Sequence, residues 1–184
     1  MLIKIFNNNF YLAAFVVSII VGLEFPDIDF LIPFIGHRSF LTHSIIIPLI
    51  IYYYFFKRKK INLITNYFYS GFLIGISIHL CADLFPKAWI GFATIKVPYF
   101  LSIGPILSPI WMIVNLSLGF HLALKKIYEL ELKLSFKNKF IICTIGIIYF
   151  LSEYNPLTKI IVFLIFTFVI VKYINFLKKE NLKN

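Results

Sequence analysis

The sequence predicts an all-α, polytopic membrane helix bundle of about six hydrophobic segments, some short or re-entrant, with both termini cytoplasmic. Three observations carry this. The 184 residues are 60% hydrophobic and only 14% charged, whereas soluble domains carry about a quarter charged residues. Mean hydropathy is +0.89. The lysines fall in short clusters between apolar runs, where topology signals sit, so the net charge of +10 is assigned to membrane topology and no nucleic-acid partner is expected. Cys81 and Cys143 each stand alone in an apolar run, which argues against a disulfide framework and a cysteine zinc site.

Taken in order, residues 10–23 form an apolar run shorter than the roughly 20 residues of a full span. They read as an uncleaved first helix, short or tilted, because no small-x-small cleavage pattern precedes Glu24. A polar loop follows at residues 24–39. Residues 40–56 predict a second helix, closed by Lys57-Arg58-Lys59-Lys60, and residues 67–85 a third. Residues 86–102 mix Pro86, Pro98, Trp89, Tyr99, Lys87 and Lys96, as suits a segment at the membrane surface. Residues 103–124 are long enough to span despite Pro105 and Pro109, and a lysine-rich stretch follows at 125–139. The short run 140–151 and the full-length run 157–177 form a hairpin, with a lysine-rich tail after it. No internal repeat or linker divides the chain. It reads as a single integral membrane domain over residues 1–184, with the polar motifs in 1–110 and C-terminal helices in 111–184.

Positive charge orients this arrangement. With a cytoplasmic N-terminus and six crossings, fourteen of the 18 Lys and Arg residues lie inside; Arg38, Lys87, Lys96 and Lys159 fall at the opposite face, as the positive-inside rule favours. The expected location is the plasma or inner membrane, multi-pass, with membrane lipid as the surrounding partner; nothing in the sequence indicates an oligomeric state.

The chemistry concentrates in Pro26-Asp-Ile-Asp29 and in His37-Arg-Ser-Phe-Leu-Thr-His43-Ser44. The predicted topology puts Asp27, Asp29 and His37 on the outer loop and His43 at the outer end of the second helix. The third helix runs outward, so His79 and Asp83, four residues apart and on one face, meet them at the same depth. Gly71 and Gly75 continue that stripe inward and allow another helix to approach closely. Ionisable groups at membrane depth are costly and usually functional. A set of imidazoles and carboxylates suits a divalent metal such as Zn²⁺, Mn²⁺ or Fe²⁺, which also offsets the mutual repulsion of Asp27, Asp29 and Asp83. Blander readings exist for each piece: a capping turn at Pro26-Asp-Ile-Asp29, a helix cap at Thr42, and a hydrogen-bonded pair at His79 and Asp83. The joint occurrence on one side favours a site. His121 lies toward the inner end of its helix and reads as an interfacial residue.

Pro26-Asp-Ile-Asp29, His37-Arg38 with Thr42-His43-Ser44, and Gly75 through His79-Leu-Cys-Ala-Asp83-Leu84 resemble, in order and rough spacing, the bacterial and archaeal family of membrane-bound metal-dependent hydrolases of the YdjM/YbcI type. The resemblance covers about residues 10–110. It implies a multi-helix inner-membrane protein with a metal-dependent hydrolytic site. The chain departs from that pattern at Phe30, where family members often carry a histidine, and at Ser39-Phe40-Leu41, one residue longer than usual.

The expected activity is metal-assisted hydrolysis of an ester or phosphoester of a lipid-like or other membrane-associated substrate, with a metal that acidifies a water and polarises the substrate. Asp29, His43, His79 and Asp83 are the expected ligands. Asp27 and His37 serve as further ligands or as general base, and Arg38, with Lys87, holds an anionic group. No His-Glu-x-x-His or Gly-x-Ser-x-Gly occurs. Two readings of a different class stay open: a metal-binding or transport protein, which calls for polar residues continuing inward, and a structural metal with a closed coordination shell.

Overall fold

The computed structural model describes residues 2–32, 35–56, 63–84, 94–97, 102–129 and 136–151, with 157, 159–161, 163–165, 167–168 and 172. The expected all-α class holds: the described residues are helical, with no strand among them and only two isolated bridges, Ser39 to Lys96 and Lys96 to Ser102. The elements are α1 (Leu2–Glu24), a 3-10 turn (Pro26–Leu31), α2 (Ile46–Ile51) continuing as a wider π turn (Tyr52–Phe56), α3 (Leu63–Asp83), α4 (Leu107–Glu129) and α5 (Phe136–Leu151). The chain divides into two compact units, Met1–Lys133 and Leu134–Asn184. The whole motif-bearing stretch 1–110 lies in the first, which also takes in α4.

In the first unit α3 is the central element, packed against both α1 and α4 and buried on all sides from Tyr69 to Ala82. Small residues make that possible. A Cβ on Gly71 or Gly75 would collide with the Phe15 or Ile19 carbonyl of α1, and one on Gly22 would meet the Phe72 carbonyl of α3. Because residue numbers rise together along this seam, α1 and α3 run parallel and their C-terminal ends lie side by side. On the opposite face Gly119 of α4 abuts Ser77 and Leu73. Asn115 of α4 accepts the Ile45 N–H at 3.1 Å, fixing the start of α2.

Two helices, Leu63–Asp83 and Leu107–Ile127, are long and apolar enough to cross a membrane; Phe10–Glu24 and Ile142–Leu151 are apolar but shorter. Six spans are therefore more than the described residues display. The predicted second helix starts late: residues 40–45 form turns and helix begins only at Ile46, because the backbone there is drawn into the polar cluster. Thr42 caps no helix, and α2 has no side-chain cap. The Lys57–Lys60 cluster, the surface segment around Lys87 and Trp89, and most of the final predicted span lie outside the described residues. In the second unit Gly146 of α5 allows the Phe163 ring to approach, and Phe150 and Phe163 meet edge to face at 5.3 Å.

Candidate metal centre

All seven candidate residues converge at one end of the first unit. The 3-10 turn after α1 supplies Asp27 and Asp29, the turns before α2 supply His37, Arg38 and His43, and the last turn of α3 supplies His79 and Asp83. Pro26 begins the 3-10 turn, where a missing N–H costs nothing. About 120° separates successive residues of such a turn, so Asp27 and Asp29 leave it on different sides. Asp29 is buried, whereas the Asp27 side chain is 38% exposed.

Asp29 is the hub of a hydrogen-bond network. Its Oδ2 accepts the Ser39 N–H at 3.0 Å and the Thr42 hydroxyl at 3.0 Å, and lies 3.2 Å from His43 Nδ1. Its Oδ1 is 3.4 Å from His37 Nδ1. Burial pushes the carboxyl pKa up, but the hydrogen bond from His43, the Ser39 N–H, the His43 charge and the Thr42 hydroxyl outweigh it and lower it to about 2. His79 Nδ1 lies 2.7 Å from the Leu23 carbonyl at the end of α1. A carbonyl only accepts, so this nitrogen carries the proton.

Every imidazole of the cluster thus has its Nδ1 on an oxygen acceptor, the usual outer support of a metal-binding histidine. His43 Nε2 lies 2.9 Å from Asp83 Oδ2, both atoms are buried, and neither is aligned for a hydrogen bond. His79 Nε2 lies 3.6 Å from the same Asp83 oxygen and 3.8 Å from Asp27 Oδ1. Ligands about 2.0–2.2 Å from one metal stand about 2.9–3.5 Å from each other in octahedral or tetrahedral geometry; the 2.9 Å contact falls in that range, the 3.6 Å one lies at its edge, and the 3.8 Å one is wider. Two groups can hold an ion: His43, His79 and Asp83, and Asp27, His37 and His43, each offering atoms within 4.8 Å of one another. Asp29 belongs to neither. Without a metal, His43 is held protonated: burial pushes its pKa down, but its side-chain contacts with Asp29 and Asp83 and the charges of both carboxylates raise it to about 9.

Arg38 completes the cluster. Its Nη2 donates to Asp83 Oδ1 at 3.3 Å, leaving Asp83 Oδ2 to the histidines, and its buried Nε makes no hydrogen bond. The Arg38 backbone is left-handed, φ +61°, a strained state for a residue with a Cβ. Residues 94–97 hold it: the Lys96 N–H donates to the Arg38 carbonyl at 2.9 Å, and the Phe40 N–H to the Lys96 carbonyl at 2.7 Å. Phe30 stacks on the His37 ring with centroids 4.1 Å apart.

Sequence reading alone passed over the Leu23 carbonyl, the Ser39 N–H and the clamp from Lys96. Backbone groups leave no signature in residue identity. His121 lies on α4 in neither metal-binding group, and Lys87 lies outside the described residues. No protein-family model, curated protein or solved structure matches the chain.

Proposed function

We propose that the chain is a membrane-bound metal-dependent hydrolase of the kind its motifs resemble, acting on an ester or phosphoester of a membrane-associated substrate. The observation that carries this is the convergence of His43, His79 and Asp83 in one buried group able to hold a metal ion, with the Nδ1 of both rings already held by oxygen atoms. Without an ion the His43 proton faces Asp83 Oδ2; a divalent ion that displaces that proton takes over both atoms.

In this reading His43, His79 and Asp83 hold the metal, with Asp27 and His37 at the exposed edge. A divalent ion of the Zn²⁺, Mn²⁺ or Fe²⁺ type supplies an acidified water and a Lewis acid for the substrate's carbonyl or phosphoryl oxygen. Asp27, the most exposed carboxylate of the cluster, is placed to take a proton from solvent-facing water. The buried Nε of Arg38 is a charged donor with no acceptor, suited to a substrate oxyanion. Asp83 keeps the guanidinium facing the centre.

A membrane setting is supported by outward apolar faces. Val17, Ile20 and Val21 of α1 are 44–53% exposed, and Ile110, Ile113, Val114 and Leu118 of α4 are 41–52% exposed, clustered apolar exposure of the kind that marks a membrane or partner surface. We place the protein in the plasma or inner membrane as a multi-pass protein with its basic clusters inside and the site at the outer face, in contact with lipid.

Transport has one observation in its favour: Asn66, Ser70 and Ser77 are buried on α3. These are neutral, weak ligands for a dication, and a staggered few of them make a poor path beside the charged cluster. The test is to purify the protein in detergent, measure bound metal, and assay chromogenic esters and phosphoesters in mixed micelles. Stoichiometric metal in the wild type, little in His43→Ala and His79→Ala, and turnover that requires metal are expected. Full metal content in both variants sinks the site; metal without turnover leaves only the structural role.

A further inference from the structure

Asp29 lies between two imidazoles with one oxygen toward each, Oδ2 at His43 Nδ1 and Oδ1 at His37 Nδ1. It is buried and anchored from outside the ring pair by the Ser39 N–H and the Thr42 hydroxyl, both donating to Oδ2. A carboxylate oxygen accepts, so His37 puts a proton on Nδ1; His43 Nδ1 faces both Oδ2 and, at 3.2 Å, the Thr42 hydroxyl, which spends its own proton on Asp29 and so accepts from the ring. A ligand, by contrast, needs an oxygen free to turn toward the metal, and both Asp29 oxygens are already engaged.

We propose that Asp29 is a positioning residue and not a metal ligand, fixing the tautomers of His43 and His37 at once from its two oxygens. Its value to metal binding rests on the proposed metal centre; its hold on the two rings does not. The single carboxylate also couples the rings, because any movement of Asp29 releases both. The exposed ring, His37, is the more dependent of the two. His43 is packed away from solvent, whereas the His37 side chain is 32% exposed and has Phe30 as its stacking partner.

The consequence is an asymmetric response to Asp29→Asn. The amide oxygen must take the place of Oδ2, because the Ser39 backbone N–H there can only donate. The amide NH₂ then falls at the place of Oδ1, facing His37 Nδ1. A donor at that point makes Nδ1 the acceptor and moves the His37 proton to Nε2, where it blocks coordination. His43 keeps its oxygen, and His79, held by the Leu23 carbonyl, is untouched.

The experiment is a long-range proton–nitrogen correlation spectrum of ¹⁵N-histidine-labelled, metal-free protein in micelles, at a pH where His37 and His79 are neutral, followed by zinc titration against a competing chelator. In the wild type His37 and His79 are expected as the Nδ1–H tautomer. In Asp29→Asn, His37 switches to Nε2–H, His79 does not, and zinc affinity falls about 10–100-fold, the usual effect of losing an outer carboxylate. A wild-type His37 protonated on Nε2 overturns the proposal without any variant. An unchanged His37 in Asp29→Asn, with His79 reporting an intact fold, overturns it as well. Tautomers as expected but no zinc binding in either protein uphold the hold of Asp29 on the rings and remove the metal reading alone.

Discussion

His43 is bracketed by two carboxylates, and the proton it carries there stands where a metal has to bind. Its pKa near 9 is raised, so in the metal-free protein its stabilising interaction is complete below its unfolded value and fades as pH rises through about 9. Metal binding has the opposite slope, because the ion must displace the Nε2 proton. Between about pH 7 and pH 8.5 the zinc dissociation constant should therefore fall about tenfold per pH unit, with one proton released, and level off above about 9. Asp29, at about 2, stays ionised throughout and adds nothing to the slope. A chelator-competition titration that finds a flat affinity over this window contradicts His43 as a ligand. At this scale the sequence is informative about residue type and silent about role. Asp27 and Asp29 are two positions apart in one motif, and only the 3-10 turn decides that the first meets His79 while the second is surrounded by N–H and O–H donors.

The elements meet at a seam of small residues, and the site depends on that seam. Gly22, Gly71 and Gly75 let α1 and α3 approach until backbone touches backbone, which brings the Leu23 carbonyl within 2.7 Å of His79. A leucine at Gly75 must push the helices apart, at a cost of about 1–3 kcal/mol or more where no rotamer fits. Because α1 leads directly into Asp27 and Asp29, the same substitution should weaken zinc binding at least about tenfold, though no ligand is touched. Thermal unfolding and zinc titration of Gly75→Leu beside Gly104→Ala measure this. Gly104 has open space around it, although its φ of +92° strains any residue with a Cβ, so that control should lose some stability and keep its affinity. Equal affinity in both variants contradicts the link between seam and site. The Gly71/Gly75 stripe was legible because a four-residue spacing has one helical meaning. The late start of α2 was not: residues 40–45 fall inside the predicted helix, and the hydrogen bonds of Ser39 and Thr42 to Asp29 draw that stretch into turns.

Every residue of the candidate centre belongs to the Met1–Lys133 unit, and the centre ties the end of α1, the turns before α2 and the end of α3 into one knot. Such a knot couples metal to folding, since the unfolded chain has no comparable site. With free metal at about 100 times its dissociation constant, binding adds about 2.7 kcal/mol, which for a chain of this size raises the melting temperature by about 5–10 °C. Detergent-solubilised wild type should lose that increment on chelation and regain it with Zn²⁺, Mn²⁺ or Fe²⁺, the ion giving the largest shift being the preferred one. His43→Ala and His79→Ala should melt at the same temperature with and without chelator. Asp27→Asn should keep a metal-dependent shift, because it leaves the His43, His79 and Asp83 group intact. The order of these shifts separates a metal centre from a purely hydrogen-bonded cluster: if chelation leaves the wild type unmoved while the histidine variants are simply less stable, the buried imidazoles and carboxylates are holding the helices together by themselves.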